Sequence, residues 1–184
     1  MSTTANPTVT GDYTLDLSHS TIGFFARHAM VTKVRGKFDD VTGSGHFDVD
    51  DPSQSRVEVV IQAKGINTGN VDRDNHLRSN DFLAMDEFPE IRFVSTSVDS
   101  AGEARYRVHG DLTIRGVTKP VTIDFEHTGS AVDPFGNQRI GFEGSTTINR
   151  KDWGINFNAA LDAGGVLVSE RVTLEFDISA IKAA

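Results

Sequence analysis

At 184 residues, 38% hydrophobic and 24% charged, the chain fits one globular domain with a substantial core. Its formal net charge of −8 argues against nucleic acid or an anionic membrane surface as the main partner, because both demand a cationic footprint. The absence of cysteine removes disulfides, thiolate catalysis and cysteine-ligated metal centres together.

The first residues, Met1-Ser2-Thr3-Thr4-Ala5-Asn6-Pro7-Thr8, have no basic start and no apolar stretch, so no secretory signal is visible. Residues 1–11 are expected to form a flexible arm ahead of a domain over 12–184. No segment approaches the roughly 18 apolar residues that span a bilayer. The expectation is a cytoplasmic protein with no stable membrane insertion.

Period-two alternation, the mark of half-buried strands, dominates the chain. Tyr13, Leu15 and Leu17 alternate, then Ile22, Phe24 and Ala26, then Val57, Val59 and Ile61. Tyr106, Val108, Gly110, Leu112 and Ile114 follow, then Val121, Ile123 and Phe125. The last two runs are Ile140, Phe142, Gly144, Thr146, Ile148 and Val172, Leu174, Phe176, Ile178. Turn residues separate them at Thr42-Gly43-Ser44-Gly45, Asp51-Pro52, Ser100-Ala101-Gly102, Asp133-Pro134-Phe135-Gly136-Asn137 and Ala163-Gly164-Gly165. About eight strands result, with no βαβ alternation, which predicts an all-β antiparallel sandwich or barrel.

Residues 68–88 break the alternation. Asn70 can cap a short helix whose first turns hold Asp72 and Asp74, where carboxylates suit the helix dipole. Asp72 faces His76 and Asp74 faces Arg78 at a spacing of four residues. The apolar Phe82, Leu83, Met85 and Phe88 follow, and Pro89 marks the return to strand at Ile91 and Phe93. Polar turns at a barrel rim with apolar residues across its opening would make this segment a lid; a fixed plug has the same pattern.

None of the six histidines pairs as HxH or HExxH, and no G-x-S-x-G or phosphate-binding glycine loop is present. The expectation is therefore no metal, no cofactor and no nucleotide. Charges set among apolar residues are more informative: Arg27 and His28 after Phe24-Phe25, Arg115 after Ile114, and Arg150 before Trp153-Gly154-Ile155. An arginine fork can hold a ligand's planar acceptor or brace the barrel through internal ion pairs, and the sequence leaves both roles open.

Several segments together carry a resemblance. They are Tyr13-Thr14-Leu15-Asp16 with His19-Ser20-Thr21-Ile22-Gly23-Phe24 and His28; Gly36-Lys37-Phe38; Asn67-Thr68-Gly69-Asn70 with Arg73-Asp74-Asn75-His76-Leu77-Arg78-Ser79 and Asp81-Phe82; Phe88-Pro89-Glu90-Ile91-Arg92-Phe93; Gly110 to Val121; and Ile148-Asn149-Arg150-Lys151-Asp152-Trp153-Gly154-Ile155. In this order and spacing, over about residues 12–180, the chain resembles the YceI-like family, the lipocalin-like polyisoprenoid-binding proteins. The resemblance implies an elongated eight-stranded antiparallel β-barrel with a short helical insertion, and a hydrophobic tunnel holding a long isoprenoid or similar amphiphile.

The physics of such a barrel is compatible with that role. Eight strands enclose just enough room for side chains or one small ligand. Strands of eight or nine residues reach roughly 25–30 Å. Phenylalanine, with twelve residues against one tryptophan and two tyrosines, supplies apolar surface without a polar tip. Candidate tunnel residues are Phe24, Ala26, Met30, Phe82, Leu83, Met85, Phe88, Phe93, Leu112, Ile114, Phe142, Trp153 and Ile155. Candidate head-group residues are His28, Asp74, His76, Arg115 and Arg150. Binding, with transport or storage of the lipid, is the expected function, without catalysis, and the sequence leaves room for a homodimer. The rivals are a lipid-modifying enzyme using His76 and Asp74 as acid–base groups, and an interaction module with a solid core.

Overall fold

The computed structural model describes residues 9–159, 161 and 167–183. Residues 1–8 of the expected arm and the expected turn at Ala163-Gly164-Gly165 lie outside the described residues. Val9 already belongs to the core: it is buried, and its carbonyl accepts a hydrogen bond from the Tyr13 hydroxyl.

The described residues form eight antiparallel strands. Strand β1 comprises Gly11–Leu15 and Thr21–His28, bent by a 3-10 turn at Leu17–His19. Strand β2 comprises Thr32–Phe38 and Val41–Phe47, and β3 comprises Arg56–Gln62 and Ile66–Asn67. Helix α1 spans Val71–Arg78. The chain continues as β4 (Glu90–Gly102), β5 (Arg105–Ile114), β6 (Val117–Val132), β7 (Gln138–Asn149) and β8 (Arg171–Lys182). Each strand pairs with the next, and β8 returns to β1 at Tyr13↔Lys182 and Phe24↔Leu174. The sheet is thereby closed into a barrel, and closure removes the exposed edges that an open sheet would present.

Alternation sets the two faces of the wall. Along β5, Tyr106, Val108, Gly110, Leu112 and Ile114 are buried, while Arg105, Arg107 and Asp111 are exposed. Phe93 on β4 opposes Leu112, and Val121 and Ile123 on β6 stand opposite Gly110 and Val108. Register shifts between Ser95 and Ser97, and between Gly141 and Phe142, mark irregularities of the kind that tighten strand curvature.

Two sequence expectations need correction. Thr42-Gly43-Ser44-Gly45 is not a turn but lies within β2. Both glycines serve close approach, since a Cβ at Gly45 would stand 2.5 Å from the Arg56 carbonyl oxygen and one at Gly43 would stand 3.3 Å from Leu15 Cβ. Strand also continues through Ser100-Ala101-Gly102, so the β4–β5 hairpin turns at Glu103 and Ala104, the latter at φ 55°.

The 68–88 segment folds as its capping pattern predicts. The Asn70 side chain accepts from the Arg73 amide, and Asp72 and Asp74 occupy the first turn. Beyond the helix, the Leu83 amide donates to the Leu77 carbonyl and the Met85 amide to the Arg78 carbonyl. Among the described residues no helix is long and apolar enough to cross a membrane.

Candidate functional site: an apolar cavity inside the barrel

The inward faces of all eight strands leave a cavity of about 340 Å³. That is roughly ten times the ~30 Å³ share of one water molecule in the liquid. Eight of the twelve phenylalanines line it: Phe24, Phe38, Phe47, Phe82, Phe93, Phe125, Phe142 and Phe176. Most of the phenylalanine content is therefore spent on this wall. Edge-on contacts hold the rings, with centroids 5.2 Å apart for both Phe47–Tyr106 and Phe47–Phe142.

Glycines set the width. Phe93 lies across Gly110, and Phe125 lies across Gly144 on the neighbouring strand. A β-carbon at Gly110 would also stand 2.7 Å from the Val94 carbonyl oxygen. Side-chain-free positions let the rings lie back against the wall, so the axis stays open.

Helix α1 and the turns after it cover the end of the barrel where β5 passes into β6. There Arg115 Nη1 donates to the Phe82 carbonyl at 2.9 Å, and Arg78 donates to the carbonyls of Lys64 and Ile66. Phe82 and Leu83 from this segment, together with Leu77 on the helix, reach the cavity wall. Ile155 and Val168, from the connection between β7 and β8, join them.

Ten of the eighteen candidate residues stand on the wall: Phe24, Ala26, Phe82, Leu83, Phe93, Leu112, Ile114, Phe142, Arg150 and Ile155. The other eight do not. Met30 is 64% exposed at the tip of the β1–β2 hairpin, where Ala29 and Met30 both take positive φ and end the strand alternation. His28 is exposed and bridges to Val168. Met85 and Phe88 are half-buried in the turns after α1, with the Phe88 ring against Gly116. Trp153 is buried behind the wall, its Nε1 donating to the Leu112 carbonyl at 2.9 Å. Arg115 is tied to Phe82 as described.

Asp74 and His76 do not meet. Asp74 is buried and accepts from the Thr68 amide at 2.9 Å and from the Thr68 hydroxyl, closing the loop that leads into α1. His76 is exposed, with Nε2 2.8 Å from Asp81 Oδ2 and its ring edge-on to Phe82 and Phe157. Among the described residues no three ligating side chains converge on a common point.

Sequence reasoning passed over much of the wall. Tyr13, Val108, Val121, Ile123, Phe125, Ile140, Leu174 and Phe176 line it too, and their alternation already placed them on one face of each strand. Ile66, Leu77 and Val168 carried no such signal.

A model of the YceI-like domain family matches residues 13–180. UPF0312 protein SAS2572 of Staphylococcus aureus strain MSSA476 is 42% identical over 165 residues, covering 89% of this chain and 94% of that protein. The Campylobacter jejuni YCEI protein superposes with a TM-score of 0.74 at 26% identity, covering 86% of this chain and 90% of that one. A polyisoprenoid binding domain from Saccharophagus degradans shares the fold at a TM-score of 0.67 and 16% identity, covering 93% of this chain and 98% of that one.

Proposed function

For a chain that belongs to the YceI-like family, we propose that the barrel binds one long-chain isoprenoid or similar amphiphilic lipid in its cavity and carries or stores it without catalysis. The cavity is the observation that carries this reading. A space of about 340 Å³ walled almost wholly by apolar side chains offers water few hydrogen-bond partners, and a ligand that fills it takes that apolar surface out of water.

The chemistry of the wall selects the ligand. Aromatic and aliphatic side chains give a chain of methylenes what bilayer or micelle gives it, at about 0.8 kcal/mol per buried methylene. The S. degradans domain of the same fold is described as polyisoprenoid binding, which supports the same ligand class here. Phe24, Ala26, Phe82, Leu83, Phe93, Leu112, Ile114, Phe142 and Ile155 are the residues assigned to the chain.

Calorimetric titration with prenyl alcohols of increasing length tests the reading. Affinity should rise with each added unit and then level off once the cavity is full. Absence of binding at every length would overturn it.

A further inference from the structure

We propose that the amphiphile held in the barrel carries an anionic phosphate head group, and that Arg150 is its counter-ion. The inference rests on the carrier reading above. Arg150 stands where β7 passes into a 3-10 turn at Arg150–Trp153 and is only 4% exposed. It nevertheless reaches the wall of a cavity that is otherwise almost wholly apolar.

Its guanidinium is held but not neutralised. Nε donates to the Ser169 carbonyl at 2.9 Å, Nη1 to the Ile155 carbonyl at 2.7 Å and Nη2 to the Val168 carbonyl at 3.2 Å. Arginine has five N–H donors, so two are left without a protein acceptor among the described residues. The neighbouring acid, Glu170, is engaged instead by Lys151 Nζ at 2.8 Å. Burial pushes the Arg150 guanidinium below its ordinary range, and Glu170 only partly opposes this. A buried charge whose nearest acid is paired directly with a lysine is only partly compensated, and three carbonyls could be satisfied by neutral donors. The positive charge is explained if an anion completes the site, and two free N–H groups on one planar fork suit a phosphate.

The cavity has a second polar stretch, at Ser44, His46, Ser55 and Arg56. That stretch is already balanced, because Asp12 lies 2.9 Å from His46 Nδ1 and 3.8 Å from Arg56 Nη2. Arg56 is also solvent-exposed, so an anion gains little there. The unbalanced charge lies at the Arg150 end, next to Ile155 and Val168, with the aromatic interior beyond it for the chain.

Calorimetric titration with two matched ligand pairs decides the matter: geranylgeranyl phosphate against geranylgeraniol, and hexadecyl phosphate against hexadecanol. Wild-type protein should bind each phosphate at least about tenfold more tightly than its alcohol, a difference of about 1.4 kcal/mol. Arg150→Gln should bind phosphate and alcohol alike, and Arg150→Lys should keep part of the preference. A preference confined to one pair would identify whether the cavity takes prenyl or straight-chain phosphates and would support the inference. Equal affinities for phosphate and alcohol in wild-type protein would overturn it while leaving the carrier reading intact, and this arm needs no variant to fold. A preference undiminished in Arg150→Gln would overturn the assignment to Arg150. If none of the four ligands bound, the carrier reading itself would fail.

Discussion

The ring of Phe24 on β1 lies over Gly36 on β2, the residue paired with it across the sheet, so that a β-carbon at position 36 would stand 2.7 Å from Phe24 Cε1. The glycine holds the ring back from the axis of the cavity. Gly36→Val should push it inward and shorten the space for a chain. Because the ring then has a void to enter, the stability loss should fall at the low end of the ~1–3 kcal/mol typical of overpacking. Lipid affinity should drop clearly. Denaturant unfolding and lipid titration on the same variant check both parts, and unaltered binding would show that Phe24 does not border the ligand.

Trp153 offers the converse case. It is buried, yet it stands behind the wall and donates to the Leu112 carbonyl. Trp153→Phe removes that hydrogen bond while the carbonyl keeps its place in the ladder opposite Lys119, and should cost about 0.5–1.5 kcal/mol. Lipid affinity of the folded variant should stay at the wild-type value. A selective loss of binding, measured by calorimetry, would instead place Trp153 in the site.

The inward face of β5 was legible because Tyr106 to Ile114 alternate without interruption, and the helix over 71–78 was legible because Asn70 is a strong cap. Other features depend on contacts distant in sequence. Gly43 and Gly45 read as a turn because glycine carries no apolar signal, although their missing side chains are what lets β1 and β3 approach. His28 and Met30 continue the alternation of Phe24 and Ala26 on paper, but the hairpin reverses the chain at Ala29 and Met30. The charge pattern of α1 suggested Asp74 and His76 as near neighbours of a ligand. Instead the Thr68 hydroxyl takes the first and Asp81 the second. Barrel closure by Tyr13 against Lys182 joins the two ends of the chain, beyond the reach of any local pattern.

Asp16 gives the fold an acid-sensitive joint. It sits at the bend in β1 and accepts from the Ser18 hydroxyl at 2.6 Å, from Arg139 Nη1 at 2.7 Å and from the His19 ring at 2.8 Å. The Ser18 hydroxyl foremost, then Arg139 and His19, hold its carboxyl far below the usual carboxylate range. A carboxyl depressed in the folded state contributes stability that is complete above its unfolded pKa of about 3.9 and is lost as pH falls through the folded value. Asp16→Asn should therefore lower stability at neutral pH by about 1.5–3 kcal/mol, the range for hydrogen bonds to a charged group. The deficit should shrink as pH falls below about 4. Urea melts at several pH values would show this, and a deficit independent of pH would contradict it.

The turns after α1 are the part of the wall best suited to move. Phe82 and Leu83 face the cavity from a segment outside the barrel's hydrogen-bond ladder, joined to the β5–β6 hairpin through Arg115. If the segment admits the ligand, amides of residues 79–88 should exchange faster than those of β5 in lipid-free protein and slow when lipid is added. Protection equal to that of the strands, unaltered by lipid, would identify a fixed plug.

Whether the cavity holds a lipid is open to direct measurement. The protein should be purified without detergent, weighed intact under native conditions, then extracted with organic solvent for lipid mass spectrometry. The account predicts one long-chain amphiphile per barrel, released on denaturation, with an acidic head group if Arg150 is its partner. Extraction should lower the thermal midpoint, and adding the lipid back should restore it. A barrel whose mass is that of the polypeptide alone, and whose stability is unmoved by an excess of prenyl or alkyl lipids, would contradict the account.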